Sequence, residues 1–554
     1  MRLINKDKIM KNFLTAAVLS ALVAAPWTLA DNAAPDPTPV VKTTEGKLQG
    51  HVSKGTYEFL GIHYGAPTGG KARFLPPAKP AKWQGVRKAD AKGDRCPQPP
   101  VNMPGEMATV LSFSDLPISE DCLVLDVWTP AVGDRGKRPV MVWLHGGGFF
   151  VGSGGDQYYH GANLARGNDV VVVSLNHRLN TFGFFPLGPE AGEEYSASGN
   201  VGMMDIVRAL EWVNANISAF GGDPGNVTVF GQSGGAGKVS TLLAMPSAKG
   251  LFHKAIMQSG GSAKLRSQED AMAVGLGVYK QLGIEPGDVE ALQNVPMDDL
   301  VKAGGKMGLL PFGPYLDGEV IAYHPFEPEA SPLQKEVPIM VGYTKDEATN
   351  VFLTDPTWQT MTEADLKKRV SGLVPADKVD ETIALYKKRA PNDKPMHLWT
   401  SIVTDQLFAS NSILVAERKT EKGEAPAYMY KVDWESPVLD GKLRSPHAVE
   451  IPFVFDTVYT AEGLVGNGVE QEFMAKAMSQ SFASFARNGN PNTLGLPQWP
   501  AYNLKTRPTM IFDNELKLAN DPDAELRAFW KAIRESKTPG GSAIKDAFDA
   551  KKFE

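Results

Sequence analysis

A chain of 554 residues with 42% hydrophobic, 22% charged and 9% aromatic residues, and no low-complexity tract or repeat, has the composition of a folded globular protein and excludes a disordered or fibrous one. The formal charge of −6, with no basic run interleaved with aromatics, argues against nucleic acid as a partner. Glycine (55) and proline (41) are plentiful, which suits strands joined by irregular loops more than a helical bundle. In chain order, Arg2, Lys6, Lys8 and Lys11 precede an apolar stretch from Phe13 to Ala25, followed by Pro26 and Thr28-Leu29-Ala30. That layout predicts a cleavable secretory signal over residues 1–30 and a secreted or periplasmic mature chain; an uncleaved anchor is the alternative. No second segment is long and apolar enough to span a bilayer, so no stable membrane insertion is expected.

Cys96 and Cys122 are the only cysteines. An even count behind an export signal predicts one disulfide, across 25 intervening residues; two buried free thiols are the alternative. Val140-Met141-Val142-Trp143-Leu144 then runs into His145-Gly146-Gly147-Gly148-Phe149, and Val170-Val171-Val172-Val173 into Ser174-Leu175-Asn176. Between residues 203 and 217, Ile206, Leu210, Val213 and Ile217 fall on one helical face. Val227-Thr228-Val229-Phe230 runs into Gly231-Gln232-Ser233-Gly234-Gly235, followed by a helical pattern through Val239, Leu242 and Leu243 that Pro246 stops. Ala255-Ile256-Met257 and Ile339-Met340-Val341 are two more apolar runs. Runs without polar alternation read as strands covered on both faces, and their alternation with helices predicts an α/β fold with a large, mostly parallel sheet flanked by helices. No Pro/Ser linker divides the chain between residue 31 and about 535, so residues 31–554 read as a single catalytic domain with long loop insertions and a loose tail from Thr538 onward.

Two of these turns carry chemistry. Gly231-Gln232-Ser233-Gly234-Gly235, with a strand before it and a helix after it, fits a sharp turn that exposes a serine oxygen; an idle serine in a structural turn is the competing reading. The glycines after His145 end a strand and can turn bare N–H groups toward a pocket. With the N–H of Gly234, those of Gly147 and Gly148 are candidates for an oxyanion hole. A flexible strand-ending loop is the alternative, and a phosphate loop is a poor one because the Gly-Lys-Ser/Thr ending is missing. A nucleophilic serine needs a base and the base an orienting acid. The nine histidines give the residue pattern no means of choosing among them, beyond the usual order of serine, acid, histidine.

The chain resembles the type-B carboxylesterases, the α/β-hydrolase family that includes cholinesterases and bacterial nitrobenzyl esterases. The likeness runs through Ser119-Glu120-Asp121-Cys122-Leu123, Asn176-His177-Arg178-Leu179, Gly199-Asn200-Val201-Gly202, Phe220-Gly221-Gly222-Asp223-Pro224, Gln258-Ser259-Gly260, Asp317-Gly318 and Trp499-Pro500-Ala501-Tyr502. It covers nearly all of the mature chain. The resemblance implies a Ser233, Glu347, His447 triad: His447 stands in the family's His-Gly-x-Glu stretch and Glu347 in its Lys-Asp-Glu loop, with Asp346 as the rival acid. It also implies a Cys96–Cys122 disulfide, an Arg73–Glu120 ion pair, supporting roles for Ser259 and Glu450 behind His447, and a loop-shaping role for His145.

Three positions depart from the family. Gln232 replaces the glutamate of cholinesterases and weakens the case for a cationic substrate; Gly234 stands where many relatives carry alanine; Ala448 replaces glycine after the histidine. Phe149, Phe150, Phe184, Phe185 and Phe352 are candidates for the wall of an apolar gorge, with plain core packing as the alternative. The expected activity is hydrolysis of a small-molecule carboxylic ester through an acyl-enzyme, with no metal and no organic cofactor. A narrower esterase for a xenobiotic or toxin ester is the alternative, and a non-catalytic binding protein is disfavoured because all three triad positions are intact.

Overall fold

Strands that are apolar on both faces have to be covered on both faces, and the molecule is built around that requirement. The structure is a computed structural model and describes residues 38–101, 105–110, 113–308 and 311–536. The predicted signal at 1–30 and the tail from Thr538 lie outside the described residues. The strands are β1 (Val40–Lys42), β2 (Lys47–Gln49), β3 (His51–Ser53), β4 (Thr56–His63), β5 (Val86–Lys88), β6 (Val124–Thr129) and β7 (Arg138–Leu144). After them come β8 (Val171–Leu175), β9 (Gly222–Gln232), β10 (Lys254–Gln258), β11 (Ile339–Thr344), β12 (Ala427–Val432), β13 (Pro508–Phe512) and β14 (Lys517–Asn520).

β1, β2 and β5 make a small sheet, and the other eleven form one large sheet in the order β14-β13-β12-β11-β10-β9-β7-β8-β6-β4-β3. Pairing is parallel from β8 through β13 and antiparallel at both edges. Alternate residues serve opposite faces, as the period of two requires. Val142, Val229 and Val341 pack with Ile206, Leu210 and Val213 of the helix Val201–Asn216. Trp143, Phe230 and Met340 pack on the other face with Met474, Met478 and Phe482 of the helix Val469–Asn488. A third cluster, around Trp358, Leu366, Trp399 and Trp530, holds the inserted helices and the last described helix, Ala524–Glu535, together.

Register positions the site. Leu144 lies opposite Gly231, Gln232 opposite Gln258, and Gln258 opposite Gly342. The carboxyl ends of β7, β9, β10 and β11 therefore stand side by side, the edge at which open α/β sheets bind ligands. Cys96 and Cys122 are disulfide-bonded. The Arg73 guanidinium donates to both oxygens of Glu120 (2.8 and 2.6 Å). Among the described residues no helix is long and apolar enough to cross a membrane.

Candidate active site

β9 ends at Gln232 and the helix Gly234–Leu242 starts two residues later, leaving Ser233 alone to reverse the chain. It does so at φ 58° and ψ −123°, a strained conformation for a residue with a Cβ. Two glycines make the turn fit: a Cβ at Gly231 would lie 2.6 Å from the Gly235 carbonyl carbon, and one at Gly235 would lie 2.0 Å from the Leu144 oxygen. The Ser233 N–H donates to the Gln258 carbonyl (2.9 Å), which ties the turn to β10. Ser233 stays partly exposed, at the amino end of a helix where negative charge is favoured.

The loop leaving β7 faces this turn. Gly147 (φ 82°) and Gly148 (φ 65°) lie in the left-handed region, and a Cβ on Gly147 would meet the Val151 oxygen at 2.3 Å. Among the described residues the N–H groups of Gly147 and Gly148 have no acceptor, and Gly234, as first residue of its helix, has none within the helix. The loop touches the turn directly: a Cβ on Gly234 would lie 2.2 Å from the Gly148 oxygen. Three unpaired donors thus sit on segments in contact beside the serine.

Behind the serine, the Nδ1 of His447 lies 2.5 Å from the Glu347 Oε2. The other Glu347 oxygen accepts the N–H of Thr344 (2.7 Å), and the carboxylate is wholly buried. A carboxylate only accepts, so Nδ1 carries the proton and Nε2 keeps its lone pair. The His447 carbonyl accepts from Asn350 Nδ2 (2.8 Å), which fixes the backbone of the loop. Burial pushes the His447 pKa down, but the charge and hydrogen bond of Glu347, with the charge of Glu450, outweigh it and leave it raised above 6.5. The His447 side chain keeps 21% of its surface open to solvent. Asp346 is elsewhere: its carboxylate accepts from the Ser445 N–H (3.3 Å) and faces Arg444, and burial raises its pKa to about 6.

Ser259, at φ 55°, donates to Glu450 Oε1 (3.1 Å). Burial and then the Glu347 charge raise the Glu450 pKa to about 7. Ser259 and Glu450 are thus paired with each other, and the Glu450 charge acts on His447.

Several neighbours of the site have no counterpart in the sequence patterns. The Gln232 amide nitrogen is 3.1 Å from His447 Nε2 and 3.3 Å from Nδ1. A point nearly equidistant from both ring nitrogens lies over the ring face, out of line with either lone pair. No hydrogen bond joins Ser233 Oγ to His447 in this arrangement, and such bonds commonly tighten only when substrate binds. Phe408 packs on the same imidazole (ring centroids 5.1 Å apart) from a single π-helical turn, Asp405–Ala409; turns of this kind recur at functional sites. Of the candidate gorge residues, Phe184, Phe185 and Phe352 are buried in the core. Phe149 and Phe150 are partly exposed beside the glycine loop, where Phe150 stacks on Phe312 (6.1 Å).

A strand, a strained serine and a helix at the carboxyl edge of a sheet that is parallel through its centre, with a histidine–glutamate pair on neighbouring loops, define an α/β-hydrolase. The profile of the Carboxylesterase family matches residues 37–530. The chain is 36% identical over 500 residues to the para-nitrobenzyl esterase of Bacillus subtilis (strain 168), covering 88% of this chain and 97% of that protein. It is 34% identical over 495 residues to the phenmedipham hydrolase of Pseudarthrobacter oxydans, covering 86% and 95%. The crystal structure of a Geobacillus stearothermophilus carboxylesterase superposes with a TM-score of 0.78 at 40% identity, covering 89% of this chain and 99% of that one. The chain belongs to the carboxylesterase family and is a carboxylic-ester hydrolase.

Proposed function

We propose that the protein is an exported serine carboxylesterase that cleaves small carboxylic esters through an acyl-enzyme on Ser233. Ser233 Oγ attacks the ester carbonyl carbon while His447 Nε2 takes its proton, and Glu347 holds the imidazolium that forms. The carbonyl oxygen, now carrying the charge, is received by the N–H groups of Gly147, Gly148 and Gly234. The C–O bond to the alcohol breaks as His447 returns the proton to the leaving oxygen. Water, deprotonated by His447, then attacks the acyl carbon and releases the acid and free Ser233.

The observation that carries this reading is the 2.5 Å contact between His447 Nδ1 and the buried Glu347, which leaves Nε2 as a base on the loop facing the serine turn. Ser259 and Glu450 serve as the second layer behind that base. Export rests on the basic and apolar layout of residues 1–30, and the mass of the mature chain from culture or periplasm checks it: a protein retaining Met1 through Ala30 overturns the cleavage.

The test of the mechanism is hydrolysis of p-nitrophenyl esters, acetate to decanoate, by the mature protein and by Ser233→Ala. Turnover is expected for the wild type, and a loss of about 10⁴-fold or more for the variant. A folded Ser233→Ala variant that retains wild-type turnover overturns the assignment of the nucleophile.

A further inference from the structure

The helix that begins after Ser233 carries one charged side chain, and that side chain is wholly buried. Lys238 has no solvent exposure, and every residue of its helix from Gly235 to Leu242 is buried with it. Its Nζ donates to the carbonyl of His145 at 2.8 Å and lies 5.4 Å from the centre of the Phe149 ring. Both neighbours are electron-rich, a carbonyl oxygen and an aromatic face, so the nitrogen acts there as a donor. Among the described residues no carboxylate pairs with it, and burial lowers its pKa well below the usual lysine value.

A buried, unpaired lysine is costly and needs a compensating reason to persist. The structure offers one in what the lysine spans. Its root is on the helix of Ser233. Its tip is on the carbonyl of the residue that opens His145-Gly146-Gly147-Gly148, and His145 and Phe149 bracket those three glycines. Glycines set no conformation of their own, so the loop has to be held by its flanks.

The flanks are built accordingly. The His145 ring is buried, holds the Gly146 carbonyl through Nδ1 (2.8 Å), and stacks on His177 (4.9 Å between centroids). His177 in turn holds the Arg178 carbonyl through Nδ1 (2.8 Å). In both rings Nδ1 must therefore be the protonated nitrogen, and both Nε2 atoms are left without a partner. Burial, and then the charge of Lys238, keeps both rings neutral. Neither histidine competes with Lys238 as a cation, and neither reaches the reacting serine.

We propose that Lys238 is a positioning residue for ester hydrolysis: its Nζ, donating to the His145 carbonyl, clamps the glycine loop to the helix of Ser233 and keeps the Gly147 and Gly148 N–H groups aimed at the developing oxyanion. The role rests on the serine mechanism proposed above, and the two fail separately. An active Ser233→Ala variant removes the mechanism, whereas the Lys238 variants speak only to the loop.

The experiment compares Lys238→Met and Lys238→Gln in the mature protein, with sites counted by the burst of p-nitrophenol. It measures kcat and KM on p-nitrophenyl acetate and the inhibition constant of a trifluoromethyl ketone, which adds to the serine and places an oxyanion in the hole. For Lys238→Met, kcat is expected to fall about tenfold or more with KM within about twofold, and the ketone to weaken in the same proportion as kcat/KM. Lys238→Gln, a neutral donor one bond shorter, should fall between. A merely structural lysine would lower the burst or the melting temperature and leave kcat per site and ketone affinity unchanged, and that result overturns the proposal. If Lys238→Met does not fold, Lys238→Gln decides alone: wild-type kcat and ketone affinity overturn the proposal, and a parallel loss of both supports it.

Discussion

At the scale of the residue, the acid–base behaviour of His447 follows from its neighbours. Burial disfavours the imidazolium, while Glu347 at 2.5 Å and Glu450 behind it favour it, and the balance puts the pKa above 6.5. Because kcat/KM reports the free enzyme, its acidic limb should have a midpoint above 6.5. Activity should be lost as pH falls through that value, because the protonated ring can no longer take the serine proton. Gln232 provides a sharper test. Its neutral amide lies over the imidazole. Gln232→Glu would place a negative charge there, stabilise the imidazolium and move the acidic limb to still higher pH, by about one unit for a contact at this distance. A pH profile of the variant that is unmoved, or moved to lower pH, contradicts the placement. The amide's position over the ring was not legible in the sequence. A motif names the residue before the nucleophile but carries nothing about where that side chain turns. The histidine and glutamate themselves were legible only through the family likeness, since nine histidines look alike to any pattern.

At the scale of the element, the strongest sequence signals were apolar runs, and the structure explains both their success and their gaps. The five runs at Val140, Val170, Val227, Ala255 and Ile339 fall on β7 to β11, the strands covered on both faces. β6 and β12 escaped the same reasoning because each buries a charged residue that breaks its run. Asp126 accepts the N–H of Gly61 (2.8 Å), and Lys431 lies 3.3 Å from Asp523. The π-helical turn under Phe408 was equally hidden, since one extra residue in a helix leaves no composition mark. The glycine loop and the serine turn were legible as turns at the ends of two strands, but their contact was not. Gly234, where many relatives have alanine, is the point at which they meet. Alanine is the better helix former by about 1 kcal/mol, so Gly234→Ala should leave thermal stability nearly unchanged. Its Cβ would nevertheless stand 2.2 Å from the Gly148 oxygen, and the loop has to withdraw. The expected result is a fall in kcat of about tenfold, with KM altered far less, because the donors lost act on the transition state. Wild-type kcat in Gly234→Ala would show that the loop yields without disturbing its donors.

At the scale of the whole molecule, the site depends on long connections brought back to one sheet edge, and the disulfide secures one of the longest. Cys96 and Cys122 lie on a segment with no strand of the large sheet between them, so little regular pairing holds it. Yet that segment is tied to the neighbourhood of the glycine loop. Two residues past Cys96, the Gln98 side chain accepts the Gly152 N–H (2.8 Å) and donates to the Gly152 carbonyl (2.9 Å), just beyond the glycine loop. Asn180 Nδ2 donates to both the Pro97 carbonyl (2.8 Å) and the Phe150 carbonyl (3.1 Å). The even cysteine count behind a predicted export signal made the bridge legible in the sequence, but not this attachment to the glycine loop, which exists only once residues far apart in the chain have packed. Closing a loop of this length restricts the unfolded chain by about 3.5 kcal/mol in the chain-entropy account. The Cys96→Ala, Cys122→Ala double variant should therefore unfold at lower urea, with a loss near that size, and reduction of the wild type should reproduce it. Because Gln98 and Asn180 still bind the glycine loop in the folded variant, kcat per folded site should fall by less than about threefold. A double variant as stable as the wild type would mean the segment is held by its packing alone. A large loss of kcat at full folding would mean that the bridge, and not these side-chain contacts, fixes the oxyanion loop.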